Sequence, residues 1–509
     1  MNQHIQRGSL AFLLGWGIFA SSPATAQIFT DKNRVTITPT DTQQDIIRKA
    51  AMLQPSKRQL NWQKLELTAF IHFGINTFTN KEWGDGTEDP AVFNPEKLDA
   101  RQWVKTLKDA GFKQVILTAK HHDGFCLWPS KYTEYSLKNS PYKGGKGDIV
   151  KETAEACKEL GVGFGIYLSP WDRNSKYFGS DEYNTYFMNQ LTELLTKYGQ
   201  VDEVWFDGAN GEGPTGKKQV YQYNRWYELI RKLQPQATIA VSGPDVRWVG
   251  TESGYGRETE WSVVPGDRMK NETIASESQQ KDEFKPVDLM NKDLGSREVI
   301  FKAKSLVWYP AETDVSIRPG WFYHPAEDNK VKSPEKLLDI YFSSVGRNGV
   351  LLLNIPPDKN GLIHQSDIAA LAGFDALKKK VFEKNLLTGA QIAGSNRQHL
   401  KALLDEKPNT FLPTKDSTLT IPFKTAAPVT FDVLLLQENI EKGQRVEAFV
   451  LEYKEGNEWK IATQGTTIGH KRLLRFPSVT ASEIRLKITQ SRLNPYLSDV
   501  GLYKLPAGL

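Results

Sequence analysis

The sequence predicts an α/β fold: a (β/α)8-like barrel with degenerate helices 5 and 6, followed by a C-terminal β-sandwich. Three observations carry this expectation. Eight short apolar runs recur between about residues 60 and 360, and most are too continuous to alternate, as strands buried on both faces read. Amphipathic segments separate them, several closing on Gly and one opening on Ser-Pro-Glu, the preferred residues at helix ends and starts. After about residue 390 the texture changes to short strands split by turns, the spacing of an antiparallel sandwich.

The apolar runs, in order, are LELTAFIHFG, KQVILTAKHHDGF, GVGFGIYLSPWD, DEVWFDGAN, ATIAVSG, TEWSVV, SLVWYPAETD and NGVLLLNIPPD. Helical periodicity occupies DARQWVKTLKDAG, DIVKETAEACKELG, EYNTYFMNQLTELLTKYG, KQVYQYNRWYELIRKLQP and SPEKLLDIYFSSVG. Too few helix-like residues separate ATIAVSG from TEWSVV, and 264–304 is polar, so the fifth and sixth helices are expected to be lost. An open doubly wound sheet is the alternative, but no Gly-rich phosphate fingerprint follows the first run. The segment SDIAALAGFDALKKKVFEKN closes the barrel, and STLTIPF, VTFDVLLLQEN, RVEAFVLEYKEGNEWKIAT, RLLRFP and EIRLKITQ supply the sandwich. The expected division is a signal peptide at 1–26, a barrel over 27–385 and a sandwich over 386–509.

The signal peptide is read from Arg7, an apolar stretch from Leu10 to Ala20, and the small-residue site Ala24-Thr25-Ala26. This stretch is too short for a membrane span, so export to the periplasm or exterior is expected, with no membrane insertion. Among 509 residues, 39% hydrophobic and 25% charged describe an ordinary globular chain,. A net charge of +5 with dispersed Lys and Arg leaves no nucleic-acid footprint,. Cys126 and Cys157 are too few for a disulfide framework and read as free thiols,. Thirteen Trp and eighteen Tyr offer flat faces that suit sugar rings, although most belong in a core,.

In such a barrel the C-terminal strand ends converge on one mouth. These tips carry His72, then His121, His122 and Asp123, then Tyr167 and Trp171, then Asp207. Arg247, Trp248 and Glu252 lie just past the fifth, Glu258 and Glu260 at the sixth, and Glu312 and Asp314 at the seventh. Adjacent His121 and His122 point to opposite faces of a strand, and no His-Glu-x-x-His, Gly-x-Ser-x-Gly or P-loop occurs, so neither a metal nor any cofactor is expected. Paired carboxylates in an aromatic, His-rich mouth remain, which is the equipment of glycoside hydrolysis: one ionised, one held protonated.

HFGINTF, AKHHDGFCLWPS, VWFDGA and GRNGVLLLNIPPD, in that order, resemble the retaining α-L-fucosidases of glycoside hydrolase family 29. VRWVGTESGYGRETEWSVV and SIRPGWFYH resemble the branch of that family acting on α-1,3/1,4-linked fucose. The resemblance implies a fucosylated glycan as substrate, Asp207 as nucleophile, and His72, His121 and His122 as hydrogen-bonding partners of the sugar. It implies pocket positions for Trp83, Tyr167 and Trp321, the last near the sugar's methyl group. For the acid/base it favours Glu252 in WVGTE, with Glu258 and Glu260 as alternatives. Oligomeric state is not legible in the sequence.

Overall fold

Eight parallel strands form the wall of the first unit: β1 (Leu67–Ile71), β2 (Gln114–Lys120), β3 (Gly163–Leu168), β4 (Glu203–Phe206), β5 (Thr238–Val241), β6 (Arg247–Trp248), β7 (Ala311–Ser316) and β8 (Val350–Asn354). The computed structural model describes residues 32–271, 293–392, 401–405, 407 and 410–509, so the expected signal peptide at 1–26 lies outside the described residues. The strands pair in the order β5-β4-β3-β2-β1-β8-β7-β6. A parallel bridge between Ala240 and Val246 brings the two ends together, so the barrel is nearly closed. Every residue of β1, β2, β4, β5, β7 and β8 is buried, which is why most of these runs read as continuously apolar, β7 with its Glu312 and Asp314 excepted.

Helices Ala100–Asp109, Ile149–Leu160, Asp181–Lys197 and Tyr223–Leu233 follow the first four strands, and Pro334–Ser343 and Gln365–Val381 follow the last two. Their starts are chemically marked: Asp99 and Asp148 accept from the backbone N–H groups of Gln102 and Lys151, satisfying donors the helix cannot. Ile149–Leu160 ends on Gly161 at φ 67°, where a residue without Cβ is favoured.

The fifth crossover is missing. Only residues 242–246 separate β5 from β6, too few for a helical return. The chain turns back through Val241 at φ 63°, a strained conformation for a β-branched residue. Asp245 anchors the return, its backbone N–H and its Oδ2 bracketing the carbonyl and N–H of Ile239, with Arg58 and Arg231 paired to its carboxylate. Between β6 and β7 the described residues hold the four-residue helix Arg297–Ile300 and a short 3-10 turn at Gly266–Met269. The fifth helix is therefore lost, as expected, and among the described residues the sixth crossover holds only these short turns.

Two strand expectations need correction. TEWSVV is not the sixth barrel strand: its end, Val263–Pro265, pairs antiparallel with Ser305–Trp308, which in turn pairs with Arg34–Thr36 in a separate three-stranded sheet. The true sixth strand is the two-residue Arg247–Trp248, too short to leave a periodic signal. SLVWYPAETD is likewise two strands: Ser305–Trp308 in the small sheet and Ala311–Ser316 in the barrel. A run buried in a flanking sheet is as apolar as one in the barrel, so composition cannot separate them.

The C-terminal unit is an antiparallel sheet of six strands. Its two twenty-residue strands, Leu419–Glu438 and Arg472–Ser491, pair along most of their length with register shifts. One half of the pair carries Val446–Glu455 and the other Leu497–Tyr503, and side chains from both halves share one core. Its 466–471 loop grips the barrel. Thr466 meets Thr259, Thr467 Oγ1 accepts from Glu260 N–H, and Lys471 and His470 hold Glu66 at 2.6 and 3.2 Å. Cys126 and Cys157 are buried and unpaired. Among the described residues no helix is long and apolar enough to cross a membrane.

Candidate active site

Asp207 follows β4 directly, at the open end of the barrel. Its Oδ1 accepts from Ala209 N–H at 2.7 Å and its Oδ2 from the Tyr167 hydroxyl at 3.1 Å. Tyr167, next to last in β3, stacks on Trp205 at 5.1 Å. Burial, then the charge of Asp207, drives the Tyr167 phenol well above its ordinary range, so it stays a donor. The side chain of Asp207 keeps 26% of its surface accessible. It is an ionisable group fixed in direction and open on one side.

Three imidazoles gather beside it. His122 Nε2 lies 3.8 Å from Asp207 Oδ2, and its ring centre is 4.2 Å from that of His121. His121 lies 5.7 Å from His72. Adjacent in sequence, His121 and His122 nevertheless face one site, because β2 has ended at Lys120 and a turn closes from Gly124 N–H to His121 carbonyl at 3.0 Å. The expectation of opposite faces fails for that reason. Burial, first among the causes, lowers all three imidazoles, His72 to about 3, so they are neutral near pH 7. Among the described residues no three His, Cys, Asp or Glu side chains gather to hold a metal ion.

Glu252 stands on the loop after β6. Its Oε2 accepts from Trp321 Nε1 at 3.3 Å. The surrounding protein first, then the negative charges of Asp207 and Glu82, raise its carboxyl above the ordinary value, against the Trp321 hydrogen bond. The loop is tied down by β7, whose Glu312 and Asp314 carbonyls accept from Val249 and Gly254 N–H at 2.8 and 3.0 Å. Trp321 lies 5.1 Å from His72, ring centre to ring centre. Trp83 marks the outer rim: it is 57% exposed and meets His122 and Trp171 edge-on at 5.7 Å.

The other acidic candidates sit elsewhere. Glu260 is buried between Arg247 and Arg257 and its N–H is bound to Thr467. Glu258 is 66% exposed beside Arg347, and its carbonyl accepts from Arg472 and Thr466 of the C-terminal unit. Glu312, expected on the rim, is fully buried inside the barrel with Trp205 Nε1 donating to it at 2.7 Å. Asp314 accepts from Trp248 Nε1 at 2.7 Å. The error has one source: strand β7 begins at Ala311, so Glu312 is its second residue rather than its tip.

Several positioning groups escaped the sequence reading. Asn354 ends β8 in LLLNIPPD and accepts from His72 Nδ1 at 2.8 Å. Ser169, in YLSPWD, holds His122 Nδ1 at 2.8 Å. Both stand at strand tips, where the rule that found Asp207 would have found them. Glu82 accepts from Trp321 and Phe322 N–H and from His324, a role decided by a contact across more than 230 residues.

The α-L-fucosidase family profile covers residues 61–377. Alpha-L-fucosidase 1 of Arabidopsis thaliana is 44% identical over 466 residues, 88% of this chain and 87% of that one. A crystal structure of a Ruminococcus gnavus GH29 fucosidase in complex with fucose is 33% identical, covers 89% of this chain and 95% of that one, and superposes with a TM-score of 0.78. A glycoside hydrolase 29 family member from a rumen bacterium is 40% identical over 90% of this chain and 78% of that one, with a TM-score of 0.76. A family profile that spans the barrel, and likeness over nearly nine-tenths of the chain, make it a member of the α-L-fucosidase family of glycoside hydrolases, family 29.

Proposed function

We propose that this α-L-fucosidase is a retaining exo-enzyme that removes terminal α-1,3- or α-1,4-linked fucose from glycans. Asp207 attacks the anomeric carbon while Glu252 protonates the departing oxygen. Glu252 then deprotonates a water that hydrolyses the fucosyl-enzyme with net retention. The single observation that carries this reading is the unequal treatment of two carboxyls: Asp207 is held by two donors, whereas Glu252 is raised by its surroundings and by Asp207. Such divergence assigns one group to attack and the other to proton donation. Retention calls for carboxyls about 5–5.5 Å apart.

His72, His121 and His122 are the partners of the sugar hydroxyls in this reading, and Trp321, Trp83 and Tyr167 shape the pocket. The fucose bound in the Ruminococcus gnavus relative supports this sugar as the ligand. The linkage assignment rests on the VRWVGTES and SIRPGWFYH stretches, and export on the N-terminal Arg7, apolar and Ala-Thr-Ala pattern.

The test has two parts. Asp207→Asn should lower kcat by a factor on the order of 10^4 or more, as loss of a covalent nucleophile does, with unfolding unchanged. Azide should restore turnover of an activated aryl fucoside to Glu252→Ala and not to Glu258→Ala or Glu260→Ala; rescue at Glu258 instead would move the acid/base there. Offering a Lewis-type trisaccharide and a 2-linked fucoside, with the released anomer followed by NMR, checks linkage and stereochemistry together. First release as β-fucose, or equal turnover of both glycans, would defeat the corresponding claim.

A further inference from the structure

The second nitrogens of the three imidazoles obey a pattern with one gap. Asn354 Nδ2 donates to the Trp321 carbonyl at 2.8 Å and to Ser316 Oγ at 2.9 Å. A carbonyl can only accept, so the amide is fixed, and its Oδ1 must accept from Nδ1–H of His72 at 2.8 Å,. The Ser169 hydroxyl gives its proton to the Trp171 carbonyl at 2.6 Å, and so accepts from Nδ1–H of His122. Both rings are neutral Nδ1–H tautomers, which leaves each Nε2 a bare acceptor.

His121 breaks the series. Its Nδ1 is buried with no hydrogen-bond partner, and the ring is confined by stacking on Tyr167 at 5.7 Å, by an edge contact with Phe322 and by the tilted ring of His122. The acidic oxygen beside Nδ1 is Oδ2 of Asp123, 4.0 Å away. That carboxyl is 2% exposed and oriented from two sides: Oδ1 accepts from Phe125 N–H at 2.7 Å, Oδ2 from Asn76 Nδ2 at 3.2 Å. Roughly 1 Å of closure makes a hydrogen bond of normal length.

We propose that Asp123 is a positioning residue that fixes His121 as the Nδ1–H tautomer, so that all three imidazoles offer Nε2 as an acceptor to the sugar hydroxyls. This inference rests on the reading of His121 as a sugar contact. It also makes recognition depend on pH. The groups bearing on Asp123 are Glu88 from the loop after β1, Asp172 (itself paired to Lys120) from the loop after β3, Tyr135 and Cys126 beyond β2, Tyr167 on β3, and His121. Burial first, then Glu88 and Asp172, push Asp123 up to about 7 against its hydrogen bonds. Above that pH the carboxylate accepts from Nδ1–H. Below it, the carboxylic acid donates to Nδ1, and the His121 proton moves to Nε2, turning an acceptor into a donor.

The experiment is the affinity of L-fucose for the full chain between pH 5 and 9, by calorimetry. The parent should bind about three- to tenfold more tightly above the transition than below it, the worth of one hydrogen bond. Asp123→Asn presents an N–H where Oδ2 stood, and Asn76, whose Oδ1 is unpartnered, can turn to accept from it. The variant should bind at the weaker level throughout, without the step. Histidine 15N–1H spectra of the parent give a second readout needing no substitution: His121 should carry its proton on Nδ1 at pH 8. A proton on Nε2 there, or a parental pH step surviving in Asp123→Asn, overturns the inference. His121→Ala separates it from its premise: unchanged fucose affinity in that variant removes the sugar contact itself.

Discussion

Asn354→Asp changes no shape but reverses two hydrogen bonds. The amide is fully buried at the end of β8 and spans the site, accepting from His72 N–H and Nδ1–H while donating to Ser316 Oγ and the Trp321 carbonyl. A carboxylate has no hydrogen to donate. The Trp321 carbonyl would face a charged oxygen at the 2.8 Å now occupied by an N–H···O bond. Ser316 can satisfy the new oxygen only by abandoning the Gly320 carbonyl, which it holds at 2.7 Å. Two buried acceptors are thus orphaned at about 1–3 kcal/mol each, or about 2–6 kcal/mol together. The cost falls on the segment carrying Trp321, whose Nε1 steadies Glu252. Urea unfolding followed by Trp fluorescence should show a lower midpoint, and kcat/KM should fall by about tenfold or more, the worth of one hydrogen bond to a charged group. A variant matching the parent in both would refute the view that this amide organises the site.

Other outcomes follow from the same structure. Glu252 is raised, and the proposed mechanism requires it protonated to act as acid, so kcat/KM should decline as pH rises through its shifted pKa; Trp321→Phe, which deletes the donor favouring its carboxylate, should move that decline to higher pH. Glu203 and Glu312 are buried in the barrel and raised, chiefly by burial. A carboxyl raised on folding keeps its proton while the unfolded chain has lost it, so stability falls as pH climbs from about 4 through the folded value. Glu203→Gln should flatten that decline between pH 5 and 8 in urea titrations. Glu66 is the opposite case: Lys471 and His470 hold it below its ordinary range against burial, so its contribution is present near neutrality and lost in acid. Lys471→Met, which strands this carboxylate, should cost about 3 kcal/mol, and Glu66→Gln should recover much of it in the double variant.

The sequence by itself determined the barrel, the lost fifth crossover helix and the acidic tip at Asp207. Strands buried on both faces are mostly apolar, so VWFDG exposes its carboxylate as an interruption that local reading can see. It also marked His72, His121, His122 and Glu252, because strand ends and the loops beyond them are where a parallel barrel keeps polar side chains. Tertiary structure alone decided that Arg247–Trp248, and not TEWSVV, completes the wall, since two residues carry no period. It put Glu260 against two arginines and Glu258 against the C-terminal unit, while Glu252 met Trp321, choices made by contacts across tens to hundreds of residues. The same holds for the direction of His72 and His122. A histidine's letter specifies two nitrogens, but only a neighbour such as Asn354 or Ser169, arriving from another strand, specifies which of them keeps the hydrogen.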